Sequence, residues 1–116
     1  MTVLLVLGIG VLGGAGAIAR FLLDGAVSER AGGRFPWGTL AVNVSGAFLL
    51  GVVAGAVAGD AYRLLATGLL GAYTTFSTWM LESHRLGEDG RLRFGIANFA
   101  LSLAVGIAAV WLGRQL

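Results

Sequence analysis

Apolar residues run through this chain in four long stretches separated by short polar joints. The first stretch covers residues 3–23 and holds one charge, Arg20; the second covers 37–58 with none. The third covers 62–81, with Arg63 in its first turn, and the fourth covers 94–112 with no charge. About 20 consecutive apolar residues are needed for a helix to cross the hydrocarbon of a bilayer, so the pattern predicts four transmembrane helices. The joints 24–36, 59–61 and 82–93 are polar. Pro36 suits a helix start, where its missing N–H costs nothing, and Trp37 and Trp111 stand near span ends, where aromatic rings favour the membrane interface. The first stretch has no basic segment ahead of it and is longer than the apolar part of a secretory signal, so it is expected to remain as a span.

Composition supports this reading. The chain has 116 residues, of which 57% are hydrophobic and only 12% charged, about half the charged fraction of a soluble domain. So little charge cannot cover a water-facing surface. The chain has no cysteine, which excludes disulfides, thiolate metal sites and cysteine nucleophiles. Its net charge is +2 and every basic residue is arginine. These arginines mostly flank apolar runs, so nucleic-acid binding is not expected. Arg30, Arg34, Arg85, Arg91 and Arg93 fall on one side of the predicted membrane, Arg63 and Arg114 on the other. Positive-inside logic puts the five in the cytoplasm and both termini outside. Small residues recur at packing spacing: Gly10 with Gly14, and Gly51, Gly55 and Gly59 as a ladder on the second span. Such faces let helices approach closely, either within one subunit or across a dimer interface.

The spans contain no aspartate or glutamate; Asp24, Glu29, Asp60, Glu82, Glu88 and Asp89 fall in or beside the joints. Four-span drug exporters of similar size depend on a membrane carboxylate, so that class is disfavoured. His84 is the only histidine, at the end of the third span, and there is no phosphate loop or metal-ligand cluster, so no enzyme is expected. Neutral polarity remains. Residues 71–79, Gly-Ala-Tyr-Thr-Thr-Phe-Ser-Thr-Trp, include five hydroxyl side chains in mid-span. Two readings are open. The hydroxyls bond back to their own helix, or the helix is broken there, lines a cavity and frees carbonyls that hold a cation. Thr39 and Asn43, four apart, share one helix face, as do Asn98 and Ser102. Asn43 is either an interhelical structural link or part of a site.

These residues carry a resemblance. Gly13 to Arg20 resembles the first-helix motif of the Fluc (CrcB) fluoride channels. Gly38-Thr39-Leu40-Ala41-Val42-Asn43, with Gly46, Phe48 and Gly51, resembles their second-helix motif, and Gly71 through Ser77-Thr78 their third-helix break. The resemblance spans essentially the whole chain. It implies an all-α membrane protein whose third helix is broken mid-membrane, assembled as an antiparallel dual-topology dimer in the inner membrane. It implies two fluoride pores and a structural sodium ion (Na+) on the two-fold axis, held by the backbone carbonyls of Gly71 and Thr74. By the same resemblance Asn43, Phe76 and Ser102 line the pathway, Trp79 takes the place of a second pore phenylalanine, and Arg20 stands near the aqueous vestibule. Thr39 and Thr75 add hydroxyl donors. Asn98 stands where a tyrosine is common. Some relatives pair two oppositely oriented chains, so the arginine bias admits a heterodimer with a paralogous chain beside the homodimer.

The chemistry agrees. Fluoride is small and tightly hydrated, so its pathway must replace water with donors. Amides and hydroxyls supply them, and aromatic rings present a positive edge. The indole N–H of Trp79 is a further donor. Conduction requires binding that is weak or shared among sites, which suits spans with so little charge.

Overall fold

A computed structural model describes residues 2–31, 35–88 and 90–116, with the side chains of Ser77 and Thr78 outside the described set. Arg34 and Asp89, counted above among the joint residues, also lie outside it. Among the described residues the chain is all helical. Helix α1 is Val3–Ala31 and α2 is Trp37–Ala56. A short α3, Gly59–Tyr62, runs into a π-helical segment, Arg63–Leu70, and then one turn, α4, Gly71–Tyr73. Helix α5 is Phe76–Glu88 and α6 is Leu92–Gln115.

Three helices, α1, α2 and α6, are long and apolar enough to cross a membrane, with mean hydropathy 2.0, 1.8 and 1.9. They expose many large apolar side chains, among them Leu4 and Phe21 on α1 and Ile107 on α6. In water that surface would be strongly unfavourable; facing lipid it costs nothing. The long axis of 49 Å is comparable with a bilayer of about 40–45 Å including headgroups. This is a multi-pass membrane protein.

The third predicted span, 62–81, is not one helix. Its main chain leaves helical geometry at Thr74 (φ −79°, ψ 157°) and resumes at Phe76. The helix ends also differ from the apolar limits. Helix α1 continues beyond residue 23 to Ala31, because residues 24–31 contain no proline and Ser28 donates to Asp24 one turn back at 3.2 Å. The apolar pattern marks where lipid contact ends, not where helical propensity does. In the same way α5 carries on through the predicted joint to Glu88. Between α2 and α3 only Val57 and Ala58 are extended, and Gly59 turns the chain at φ +65°, a conformation that costs glycine little.

Glycine sets the packing. Helix α2 lies most extensively on α6, and α1 on the π-helical segment. A Cβ at Gly51 would overlap the Val110 carbonyl, one at Gly113 the Phe48 carbonyl, and one at Gly16 the Leu69 carbonyl. The backbones therefore meet directly, as small residues permit between membrane helices. The ladder of Gly51, Gly55 and Gly59 is partly corrected: Gly51 and Gly55 face α6, whereas Gly59 lies beyond α2 in the turn. Gly10 and Gly14 meet nothing within 4 Å, so among the described residues they pack against no neighbour.

Gly51→Ala is expected to lower stability by about 1–3 kcal/mol, the usual cost of overpacking, because the obstructing atoms are backbone. Gly25→Ala, at a helical site with nothing within 4 Å, is expected to be neutral or to gain up to about 1 kcal/mol. Unfolding in detergent, read by circular dichroism, compares the two.

Candidate ion pathway

One face of α2 organises the centre of the molecule. Thr39, Val42, Asn43 and Gly46 follow the i, i+3, i+4, i+7 spacing of a single helical stripe. Thr39 is 2% exposed and Val42 fully buried. Gly46 leaves room for the side chains of Thr74 and Tyr73, which a Cβ would displace. Beside this stripe the Ser45 hydroxyl and the Tyr73 phenol lie 2.7 Å apart.

Asn43 meets the interruption itself. Its Nδ2 donates to the Thr75 carbonyl at 3.0 Å, and its Oδ1 accepts from the Thr75 N–H at 2.8 Å. A side-chain amide thus pairs with one residue's main chain as a neighbouring peptide would. In a continuous helix the Thr75 N–H would return to the Gly71 carbonyl. Here it is committed to Asn43, while Thr74, the last residue to bond back, donates both its N–H and its hydroxyl to the Leu70 carbonyl. Within the hydroxyl patch, then, Thr74 bonds back to its own helix while the Thr75 N–H turns away to Asn43.

Below the interruption, α5 presents Phe76 and Trp79 on one face. Their rings meet edge to face at 5.5 Å and 82°, and Trp79 stacks on Phe99 of α6 at 5.2 Å and 16°. A cleft of about 300 Å³ lies against this face, bounded by Asn43, Thr74, Thr75, Phe76, Trp79, Ser102, Leu103, Gly106, Ile107 and Val110. None of these lining residues is charged. Five residues expected on the pathway, Asn43, Thr75, Phe76, Trp79 and Ser102, are thus brought to one space. Thr74, expected for the cation, joins them, while Phe76 remains 69% exposed on its outer side.

Two residues of the expected pathway set, Arg20 and Thr39, do not line this cleft. Arg20 stands on α1, partly exposed. Thr39 faces the same way as Asn43 but donates its hydroxyl to Glu82. That bond corrects the assignment of Glu82 to a polar joint. Helix α5 continues past residue 81, and a helical side chain leans toward the N-terminal end of its helix, so the carboxylate reaches back to the buried Thr39. The indole of Trp79 is a second correction: its Nε1–H donates to the Asn98 carbonyl at 3.2 Å.

Sequence reasoning missed Leu103, Gly106, Ile107 and Val110 on α6. Counting i+4 and i+8 from Ser102 would have found Gly106 and Val110. Only the packing of α5 on α6 reveals Phe99, because stacking on Trp79 leaves no trace in spacing.

Among the described residues no group of three or more histidine, cysteine or acidic side chains is placed to hold a metal. Main-chain oxygen is the alternative donor for a hard cation. The Gly71 carbonyl has lost the Thr75 N–H to Asn43, Gly71 is exposed, and the Thr74 peptide is turned out of helical geometry. Main-chain oxygen at this interruption is the kind of donor such a cation would take.

Comparison with known proteins follows the same direction. Residues 7–114 match the family described as CrcB-like protein, Camphor Resistance (CrcB). The chain is 51% identical over 116 residues to a Mycolicibacterium paratuberculosis protein named fluoride-specific ion channel FluC 2, covering 99% of this chain and 95% of that protein. It is 47% identical over 115 residues to fluoride-specific ion channel FluC 1 of Symbiobacterium thermophilum, covering 93% of each. A Geobacter sulfurreducens protein named fluoride-specific ion channel FluC is 44% identical over 114 residues, covering 93% of this chain and 92% of the relative.

Thr39→Val removes the hydroxyl that meets Glu82 and leaves a half-buried carboxylate with an apolar neighbour. It is expected to cost about 1–3 kcal/mol, the range for a buried acceptor deprived of its donor. Glu82→Gln keeps an oxygen for Thr39 and is expected to cost less. Denaturant unfolding of the two variants checks the order.

Proposed function

The chain belongs to the CrcB-like family, and from that premise we propose that it is a fluoride-selective channel that lets fluoride leave the cell passively. It is a channel and not an enzyme, a conclusion that rests on the family. The observation that carries the reading for this chain is the cleft: an amide, three hydroxyl-bearing residues and two aromatic rings converge on it, and none of its lining side chains is charged.

Each part has a task that its chemistry suits. The Asn43 amide nitrogen has two hydrogens; one goes to Thr75, and the second is the donor for a partly dehydrated anion. Phe76 and Trp79 offer ring edges, where the aromatic quadrupole is positive. Ser102 and Thr75 supply hydroxyls along the same wall. A fixed positive charge in the narrow part would hold fluoride too long, whereas several weak sites let it enter and leave. Arg20, outside the cleft, acts at most by attracting the anion toward the mouth, and Thr39 belongs to the same polar face of α2 further along.

The cleft is open on one side, which supports assembly with a second subunit. Phe76, Gly10, Gly14 and Gly71 all lie on surface that this chain leaves uncovered. In this reading the third span crosses the inner membrane as a helix broken at its middle, giving four spans. The chain forms an antiparallel, dual-topology homodimer in which both subunits line each pore. Gly71 and Thr74 of each subunit would hold a structural sodium ion at the two-fold axis, a neutral oxygen cage that ties the two interruptions together. A specific observation favours a second arrangement. Five arginines against two on the opposite face give the subunit a preferred direction, which suits a heterodimer with an oppositely oriented paralogue.

Liposomes that hold only this chain test the proposal. Fluoride release, read with a fluoride electrode, is expected to be fast while chloride is retained. Asn43→Ala and Phe76→Ala are each expected to slow it at least tenfold, the effect of about 1.4 kcal/mol on the barrier. Absence of release from folded protein would point to the paralogous partner, and equal release of both ions would refute fluoride selectivity. Replacing sodium with a large organic cation is expected to lower the melting temperature and abolish flux, because a ligand bound only by the folded state stabilises it. A melting temperature indifferent to sodium would refute the cation site.

A further inference from the structure

Asn98 is completely buried, does not line the cleft, and has no task in the pathway described above. Yet each polar atom of its side chain is committed. Nδ2 donates to the Ser83 hydroxyl at 2.7 Å and, over a longer 3.5 Å, to the Trp79 carbonyl. Oδ1 accepts from the Ser102 hydroxyl, also at 3.5 Å. Ser83 in turn donates to the Trp79 carbonyl at 2.9 Å. The circuit closes where the Trp79 indole donates to the Asn98 carbonyl at 3.2 Å. Residue 98 therefore grips residue 79 twice, at the main chain through its amide and at the ring through its carbonyl. A buried amide is costly unless satisfied, and a fully satisfied network holds its members in one arrangement.

The grip determines what Trp79 shows to the cleft. One ring face is covered by Phe99 and the ring meets Phe76 edge to face. With its N–H spent on α6, the tryptophan has no donor for an ion; its ring carbons are what remain. Withholding that donor weakens anion binding at this end of the pathway, which is the condition for release.

We propose that Asn98 is a positioning residue for ion passage: it fixes Trp79 as an aromatic wall with its indole N–H withheld from the ion, and so compensates for tryptophan at this position. The proposal rests on the fluoride-channel reading. In such a chain residues 79 and 98 act as a pair, and fluoride passage depends on the amide although no ion touches it.

The test uses the full chain carrying Trp37→Phe and Trp111→Phe, with nitrogen-15 in its remaining tryptophan, in lipid nanodiscs. The indole N–H resonance of Trp79 is followed by NMR while fluoride, or chloride as control, is added. The resonance is expected to respond no more to fluoride than to chloride. Asn98→Leu is expected to move it and to slow fluoride efflux about tenfold. Should Asn98→Leu not fold, Ser83→Ala removes the closest acceptor of the Asn98 amide without touching the cleft, and is expected to move the resonance and slow efflux about threefold. A fluoride-specific movement in the parent chain would show the N–H serving the ion and overturn the proposal. So would a resonance and an efflux rate unchanged by Asn98→Leu or, in its place, by Ser83→Ala. A parent chain that passes no fluoride, while its resonance still follows Asn98, would refute the channel reading and uphold the coupling of Asn98 to Trp79.

Discussion

The pairing of the Asn43 amide with the main chain of Thr75 is the contact on which the rest of the molecule turns. Peptide groups within a bilayer have no water to fall back on, and each one left unpaired costs several kcal/mol. A helix can stop between Tyr73 and Phe76 only if something else satisfies the freed groups. Asn43 does so with one donor and one acceptor. Once the Thr75 N–H is diverted, the Gly71 carbonyl is released, α5 starts in a new phase, and Phe76 and Trp79 come round to the cleft. A side chain four residues further back, Thr39, meets the same strand of chain at Glu82, so α2 holds α5 at two levels.

That contact requires close helices, which explains the glycine content. An asparagine side chain is short, and it reaches Thr75 because α2 can approach the interrupted segment over Gly46, where a Cβ would strike Thr74. Helix α2 is in turn seated by Gly51 on α6, and α1 by Gly16 on the π-helical segment. Backbone-to-backbone contact replaces the bulky side-chain core of a soluble bundle. The buried apolar side chains are correspondingly few, and the large ones point outward to lipid.

Polarity is divided by task. The cleft has neutral donors and ring edges, the Thr39–Glu82 contact lies apart from it, and the Asn98 network binds α5 to α6 behind it. On the proposed channel reading, this separation lets strong hydrogen bonds hold the walls while the surface left to an anion stays weakly binding. Asn43 borders both sets, since its amide supports the interruption and the residue also lines the cleft.

Features that depend on local chemistry were legible in the chain. Long apolar runs define α1, α2 and α6 because transfer into lipid depends on composition over about 20 residues. The hydroxyl-rich segment 71–79 marked the place where helical bonding changes, and the four-residue spacing of Thr39 and Asn43 put them on one face. Features that depend on phase and reach were decided only in three dimensions. Residues 24–31 are helical because nothing breaks them, although they are polar. Gly16 packs inward while Gly10 and Gly14 do not, a choice made by the neighbour α1 lies against. Glu82 returns to Thr39 because α5 outlasts its apolar stretch. The indole N–H of Trp79 turns to Asn98, and Arg20 stays off the cleft. Two non-helical residues rotate everything that follows them, so no spacing along the sequence carries across that point.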